Sequence, residues 1–174
     1  RSLGANVAAA VGCDLAFATA GVKLRVVGEE NIWAARPAVF LFNHQSQLDA
    51  FVLGSLLRKD FTGVAKKSLE RDPIFGPIGF LADVAYIDRT DGAKARQGLE
   101  PAVEALKGGK SIAIAPEGTR SPTARLQPFK KGAFQMAISA GVPIVPVCAS
   151  TYRRSMRLNR WHAGHVVVRA LTPI

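Results

Sequence analysis

Short apolar runs bounded by turn residues alternate along this chain with longer stretches of helical period. Residues 23–28 alternate polar and apolar side chains, the pattern of an edge strand. Pro37 opens Ala38-Val39-Phe40-Leu41-Phe42, a continuous apolar run of the kind that forms a buried strand. Residues 48–57 are apolar on most faces and predict a buried helix, and 62–66 a short strand. The turn-rich segment 72–77 leads into a short helix, and 84–88 reads as a strand. Leu99, Val103 and Leu106 share one helical face within 93–107, with Pro101 as a kink or restart and Gly108-Gly109 as the stop. Further strands are predicted at 111–115, 143–149 and 165–171, with a helix over 130–140 that ends at Gly141. Strands alternating with helices predict a single α/β domain with a mixed, largely parallel sheet flanked by helices.

The first 22 residues form a separate feature. Leu3, Val7, Val11, Leu15 and Ala18 recur at helical spacing, which predicts an N-terminal amphipathic helix over 1–22 preceding a domain over 23–174. Two placements suit it: docked on the core through that stripe, or lying in a membrane interface. The longest uncharged run, 21 residues from Gly132 to Tyr152, is interrupted by Gly141, Pro143 and Pro146, so it reads as helix, turn and strand rather than a span. No positively charged segment precedes an apolar one in the manner of a signal peptide.

With 174 residues, 48% of them hydrophobic and 21% charged, the chain can bury a core and falls outside the disordered classes. Charge placement is the unusual property. The net charge is +10, yet residues 1–117 hold 14 basic and 13 acidic side chains, whereas 118–174 hold nine basic and no acidic ones. Such asymmetry calls for an anionic partner: nucleic acid, a phosphorylated metabolite or a membrane surface. No helix-turn-helix, zinc or RNA-binding signature is present, which argues against nucleic acid. His162 and His165 lack thiolate or carboxylate company, so no metal site is expected. Cys13 and Cys148 both lie in apolar surroundings and read as buried free thiols.

Four predicted strand ends carry polar groups, and strand carboxyl ends are where α/β folds place chemistry. After the 38–42 strand comes Asn43-His44-Gln45-Ser46-Gln47-Leu48-Asp49. Asp49, in the first helical turn, can hold one imidazole nitrogen of His44 and leave the other as a general base. Ser46 raises a Ser/His/Asp hydrolase, although no Gly-x-Ser-x-Gly elbow surrounds it; a histidine satisfied within the core is the bland alternative. Pro116-Glu117-Gly118-Thr119-Arg120-Ser121 follows the 111–115 strand and offers backbone N–H groups and a guanidinium suited to phosphate. Ala65-Lys66-Lys67 and Tyr86-Ile87-Asp88-Arg89 end two further strands. A last cluster, Arg153, Arg154, Arg157 and Arg160 with Tyr152, Met156, Leu158 and Trp161, suits a membrane interface or the phosphates of a nucleotide donor.

Asn43-His44 with Asp49, followed by Glu117-Gly118-Thr119-Arg120-Ser121, resembles the glycerolipid acyltransferases typified by 1-acylglycerol-3-phosphate acyltransferase. The resemblance runs from about Gly28 to Ala149 and includes Tyr86-Ile87-Asp88-Arg89 and Phe129-Lys130-Lys131-Gly132-Ala133-Phe134. Ala115, Asp83 and Ser68 depart from the usual Phe, Gly and Glu of the family. The family implies a glycerol-3-phosphate acyltransferase-like fold and acyl transfer from acyl-CoA or acyl-carrier protein, as co-substrate with no cofactor, to a lysophosphatidic acid hydroxyl. His44 would be the base, oriented by Asp49, with no acyl-enzyme. An acceptor-phosphate group of Lys66, Arg89, Glu117, Gly118, Thr119 and Arg120 is implied, with Glu117 and Gly118 shaping the loop. Glycerol-3-phosphate or a glycolipid as acceptor, and a non-catalytic lipid-binding module, are the alternatives. The implied location is the cytoplasmic face of an anionic membrane, reached peripherally or through an anchor in a segment not included here.

Overall fold

The computed structural model describes residues 2–73, 75–81, 83–87, 97–123, 125–150 and 164–174. Seven strands form one sheet: β1 (Val22–Val27), β2 (Val39–Phe42), β3 (Phe61–Lys66), β4 (Ala85–Ile87), β5 (Ser111–Ile114), β6 (Ile144–Ala149) and β7 (Gly164–Ala170), in the order β1-β7-β6-β2-β5-β3-β4. All neighbours pair parallel except β6 and β7. Among the described residues the helices are α1 (Ser2–Thr19), α2 (Glu29–Ala34), α3 (Leu48–Leu57), α4 (Phe75–Leu81), α5 (Glu100–Lys107) and α6 (Gly132–Ala140), with a 3-10 turn at Lys67–Arg71. The expected α/β architecture with a mixed, largely parallel sheet is therefore the observed one.

Both faces of the sheet are covered, which is why its central strands are continuous apolar runs. Phe40 points into a core layer with Val52, Leu53, Leu56 and Leu57 of α3 and Phe17 of α1. Val39 and Leu41 point the other way, onto Leu106 of α5 and Met136 and Ala137 of α6. On β7 the alternation is clean: Val166, Val168 and Ala170 are buried while His165 and Arg169 are exposed. The α3 carbonyl end, left open as at any helix terminus, is closed by Arg36, whose guanidinium donates to the carbonyls of Leu57 and Lys59.

The amphipathic stripe of α1 is turned the opposite way from core docking over Val7 to Ala18; the Leu3 side chain lies outside the described residues. Val7, Val11 and Leu15 are 46%, 56% and 62% exposed, and Ala18 is exposed beside them. The buried face is Asn6, Ala10 and Phe17, with Cys13 half-buried between them. Small residues there let α1 approach α3 closely: a Cβ on Gly54 would lie 2.7 Å from Cys13 Sγ. The polar Asn6 tolerates burial because its side-chain oxygen accepts the Phe61 N–H at 3.3 Å. Cys148, expected buried, is exposed on β6; both cysteines are free.

Pro101 is a restart, not a kink: α5 begins at Glu100 with the proline in its first turn, where a missing N–H costs nothing. Residues 93–96 of the predicted helix lie outside the described residues. Asp83, one of the departures from the family pattern that the sequence resembles, has φ 52. That left-handed backbone favours glycine, and Asp is among the few other residues that adopt it readily.

Candidate active site

The carboxyl ends of β2, β5, β3 and β4 are contiguous in a parallel stretch of the sheet, so the motifs that follow β2, β5 and β3 open on one edge. Residues 43–46 leave β2 without regular structure and enter α3, whose second residue is Asp49. Asp49 is 3% exposed. Its Oδ2 lies 2.7 Å from His44 Nδ1 and accepts the main-chain N–H groups of Gln45 at 2.8 Å and Ser46 at 3.0 Å. One carboxylate oxygen thus ties down the loop before α3 and fixes the imidazole. With Nδ1 donating to Asp49, Nε2 carries the lone pair. The ring is 27% exposed and stands edge-on to Phe42, 5.8 Å between centroids.

Ser46 does not complete a hydrolase triad. Its hydroxyl accepts the Leu48 N–H at 3.3 Å, and no hydrogen bond joins it to the His44 ring. The loop is instead held from β6. The Asn43 side chain behaves like a peptide group, accepting the Ala149 N–H at 2.7 Å and donating to the Ala149 carbonyl at 3.0 Å. Gln45 Nε2 donates to the same carbonyl at 2.9 Å.

After β5 the chain turns through Glu117 and Gly118. Gly118 has φ 73, a conformation that costs a side chain roughly 1–2 kcal/mol. A Cβ there would also lie 2.9 Å from Lys130 Cε, whose stem crosses the glycine. Glu117 is 3% exposed; its oxygens accept the main-chain N–H groups of His44 and Gln127, each at 2.8 Å. The Ser121 N–H donates to the His44 carbonyl at 2.8 Å. The two principal motifs are therefore joined directly.

Thr119 and Arg120 are exposed at the tip of this loop, and Arg120 pairs with no acid among the described residues. Lys66, at the end of β3, is exposed and likewise unpaired among them, whereas Lys67 is bound to Glu70 at 2.7 Å. The structure thus separates the two lysines of that motif. Arg89, and the cluster Arg153, Arg154, Arg157, Arg160 and Trp161, lie outside the described residues.

Residues 23–150 match the family model described as Acyltransferase. The chain belongs to the acyltransferase family. It is 42% identical over 138 residues to the 1-acyl-sn-glycerol-3-phosphate acyltransferase of Escherichia coli (strain K12), covering 79% of this chain and 56% of that protein. The Saccharomyces cerevisiae 1-acyl-sn-glycerol-3-phosphate acyltransferase is 40% identical over 159 residues, 88% of this chain and 52% of that one. The chain thus spans about half the length of these relatives. The crystal structure of the 1-acyl-sn-glycerophosphate (LPA) acyltransferase PlsC from Thermotoga maritima superposes with a TM-score of 0.74 at 26% identity, over 95% of this chain and 67% of that one.

Gln127 and Ala149 are site-forming residues that sequence reasoning missed. Both act through or upon main-chain groups, and nothing in their residue types announces it.

Proposed function

We propose that this domain transfers a fatty acyl group from acyl-CoA or acyl-carrier protein to the free hydroxyl of lysophosphatidic acid, giving phosphatidic acid. The observation that carries this reading is the 2.7 Å contact between His44 Nδ1 and the buried Asp49 carboxylate at an edge where Lys66 and Arg120 stand exposed. The names of the similar proteins supply the acceptor.

The chemistry follows from the residues. A hydroxyl is a weak nucleophile at neutral pH, so its proton must leave as its oxygen attacks the thioester carbonyl. His44 Nε2 takes that proton, and Asp49 stabilises the resulting imidazolium. The tetrahedral intermediate collapses by breaking the C–S bond, and the imidazolium returns its proton to the departing thiolate. An ester and a thiol result, with no covalent bond to the enzyme. Lys66 and Arg120 supply cationic donors for the acceptor phosphate, with Arg89 joining them or meeting the donor. Thr119 lies beside Arg120, and Glu117 and Gly118 shape the loop.

The acceptor and product are lipids, so the domain works at a membrane surface. No helix among the described residues is long and apolar enough to cross a membrane. The outward stripe of Val7, Val11 and Leu15 and the acid-free segment 118–174 support peripheral attachment to an anionic leaflet. Arg153, Arg154, Arg157, Arg160 and Trp161 would contact that leaflet or the donor's phosphates. Mass spectrometry of products from a mixture of lysophosphatidic acid, glycerol-3-phosphate and a glycolipid, with either thioester donor, tests the reading. Phosphatidic acid as the dominant product is expected; its absence while another acceptor is acylated would reassign the substrate.

A further inference from the structure

We infer that Glu117 is a positioning residue for His44, holding the histidine's main chain, and not a contact of the acceptor phosphate. The inference rests on the acyl-transfer reading of His44.

Regular β pairing stops short of the histidine. The last β2–β5 partners are Leu41 and Ile114, and residues 43–46 belong to no helix or strand. Beyond that point the ladder is continued by other means. The His44 N–H donates to Glu117 Oε1 at 2.8 Å, and the His44 carbonyl accepts the Ser121 N–H at 2.8 Å. Both main-chain groups of His44 are thereby held from the segment after β5, one through a side chain. Asp49, from α3, holds the ring and the N–H groups of the next two residues, Gln45 and Ser46, but neither main-chain group of His44 itself. The main-chain groups of His44 and its ring thus have different partners, and together these fix where Nε2 stands.

The second Glu117 oxygen accepts the Gln127 N–H at 2.8 Å. That bond draws in the segment leading to Lys130, whose own N–H donates to the Pro116 carbonyl at 2.8 Å and whose stem crosses Gly118. Glu117 is 3% exposed, with each oxygen committed to a main-chain donor. A buried carboxylate so engaged is unsuited to an anionic phosphate, which it would repel. Arg120 and Glu117 share a loop but have opposite tasks.

Replacement of the carboxylate distinguishes the roles. Glu117→Gln keeps one accepting oxygen and turns an NH2 toward the other donor, so one of the two bonds is lost. Glu117→Ala loses both. The experiment measures kcat and the lysophosphatidic acid KM for wild type and both variants, with melting curves to establish that each is folded. It also follows the downfield NMR signal of the His44 Nδ1 proton, identified by its loss in His44→Ala. Displacement of a reacting group by about 1 Å can cost about 100-fold. We expect kcat to fall about 10-fold in Glu117→Gln and about 100-fold in Glu117→Ala, with acceptor KM within threefold and the Nδ1 signal shifted or broadened in both.

A tenfold rise in acceptor KM at unchanged kcat would overturn the inference, making Glu117 an acceptor contact. So would a kcat that falls only with the folded fraction while the Nδ1 signal stays in place. If Glu117→Ala does not fold, Glu117→Gln decides alone. Failure of the wild-type protein to acylate any acceptor would overturn the acyl-transfer reading instead; the Nδ1 signal in Glu117→Gln then still decides the clamp, by moving or by staying.

Discussion

His44 Nδ1 and Asp49 Oδ2 stand 2.7 Å apart, and that same oxygen receives the N–H groups of Gln45 and Ser46. The aspartate therefore holds the loop before α3 and the imidazole together. Asp49→Asn keeps an oxygen that can accept but removes the charge that stabilises the imidazolium. Its expected effect is a fall in kcat of about 100-fold or more, with acceptor KM little changed. Steady-state kinetics with varied acceptor separates the two constants; an equal loss carried by KM would place Asp49 in binding.

Asn43 and Ala149 make a reciprocal pair, each donating to the other. Asn43→Asp keeps the acceptor but sets a carboxylate oxygen against the Ala149 carbonyl. The expected cost is about 1–3 kcal/mol of stability from the broken bond and the misplaced oxygen. Urea denaturation measures it. An unchanged midpoint would mean that the loop before α3 is not anchored on β6.

Arg120 is exposed beyond Gly118 and Lys66 ends β3. A charge-assisted hydrogen bond contributes about 1.5–3 kcal/mol, equivalent to about 10–100-fold in affinity. Arg120→Ala should raise the acceptor KM by that factor, and Lys66→Ala should do the same, while Lys67→Ala, whose ammonium is bound to Glu70, has a smaller effect. A rise in donor KM with the acceptor KM unmoved would assign the arginine to the thioester.

The seating of α1 makes a paired expectation. Burial, and secondarily Asp14, pushes the Cys13 thiol above its ordinary pKa, while Cys148 is exposed. At neutral pH less Cys13 is thiolate, so alkylation should modify Cys148 first, with Cys13 at least about tenfold slower. On the outward face, Val11→Asp with Leu15→Asp should weaken binding to anionic vesicles about tenfold or more, without lowering the melting temperature. Equal cysteine rates would contradict the docked face; unchanged vesicle binding would contradict the outward one.

Much of the fold was legible because its signals are local. The buried helix over 48–57 has those bounds in the structure, and the apolar runs after Pro37 and at 111–115 are the sheet's centre. The short helix α2 was not foreseen, since six residues with Ile32 as their one buried side chain give no periodic signal. For α1, periodicity identified which residues share a face but not which face docks. Close approach to Gly54 favoured the small side chains over the larger aliphatic ones. In the site, His44 and Asp49 are five residues apart and their contact could be reasoned from a helix start. The Glu117–His44 and Asn43–Ala149 contacts span 73 and 106 residues. They depend on β5 and β6 flanking β2, an order that the sequence pattern does not contain.

In the proposed reaction everything turns on His44 removing the acceptor's proton. Phosphatidic acid formation from lysophosphatidic acid and a thioester donor, compared between the wild-type protein and a folded His44→Ala variant, tests it most directly. Loss of a general base should lower kcat by about 100- to 10,000-fold, with the melting temperature and vesicle binding preserved. A His44→Ala protein that acylates at the wild-type rate would contradict it.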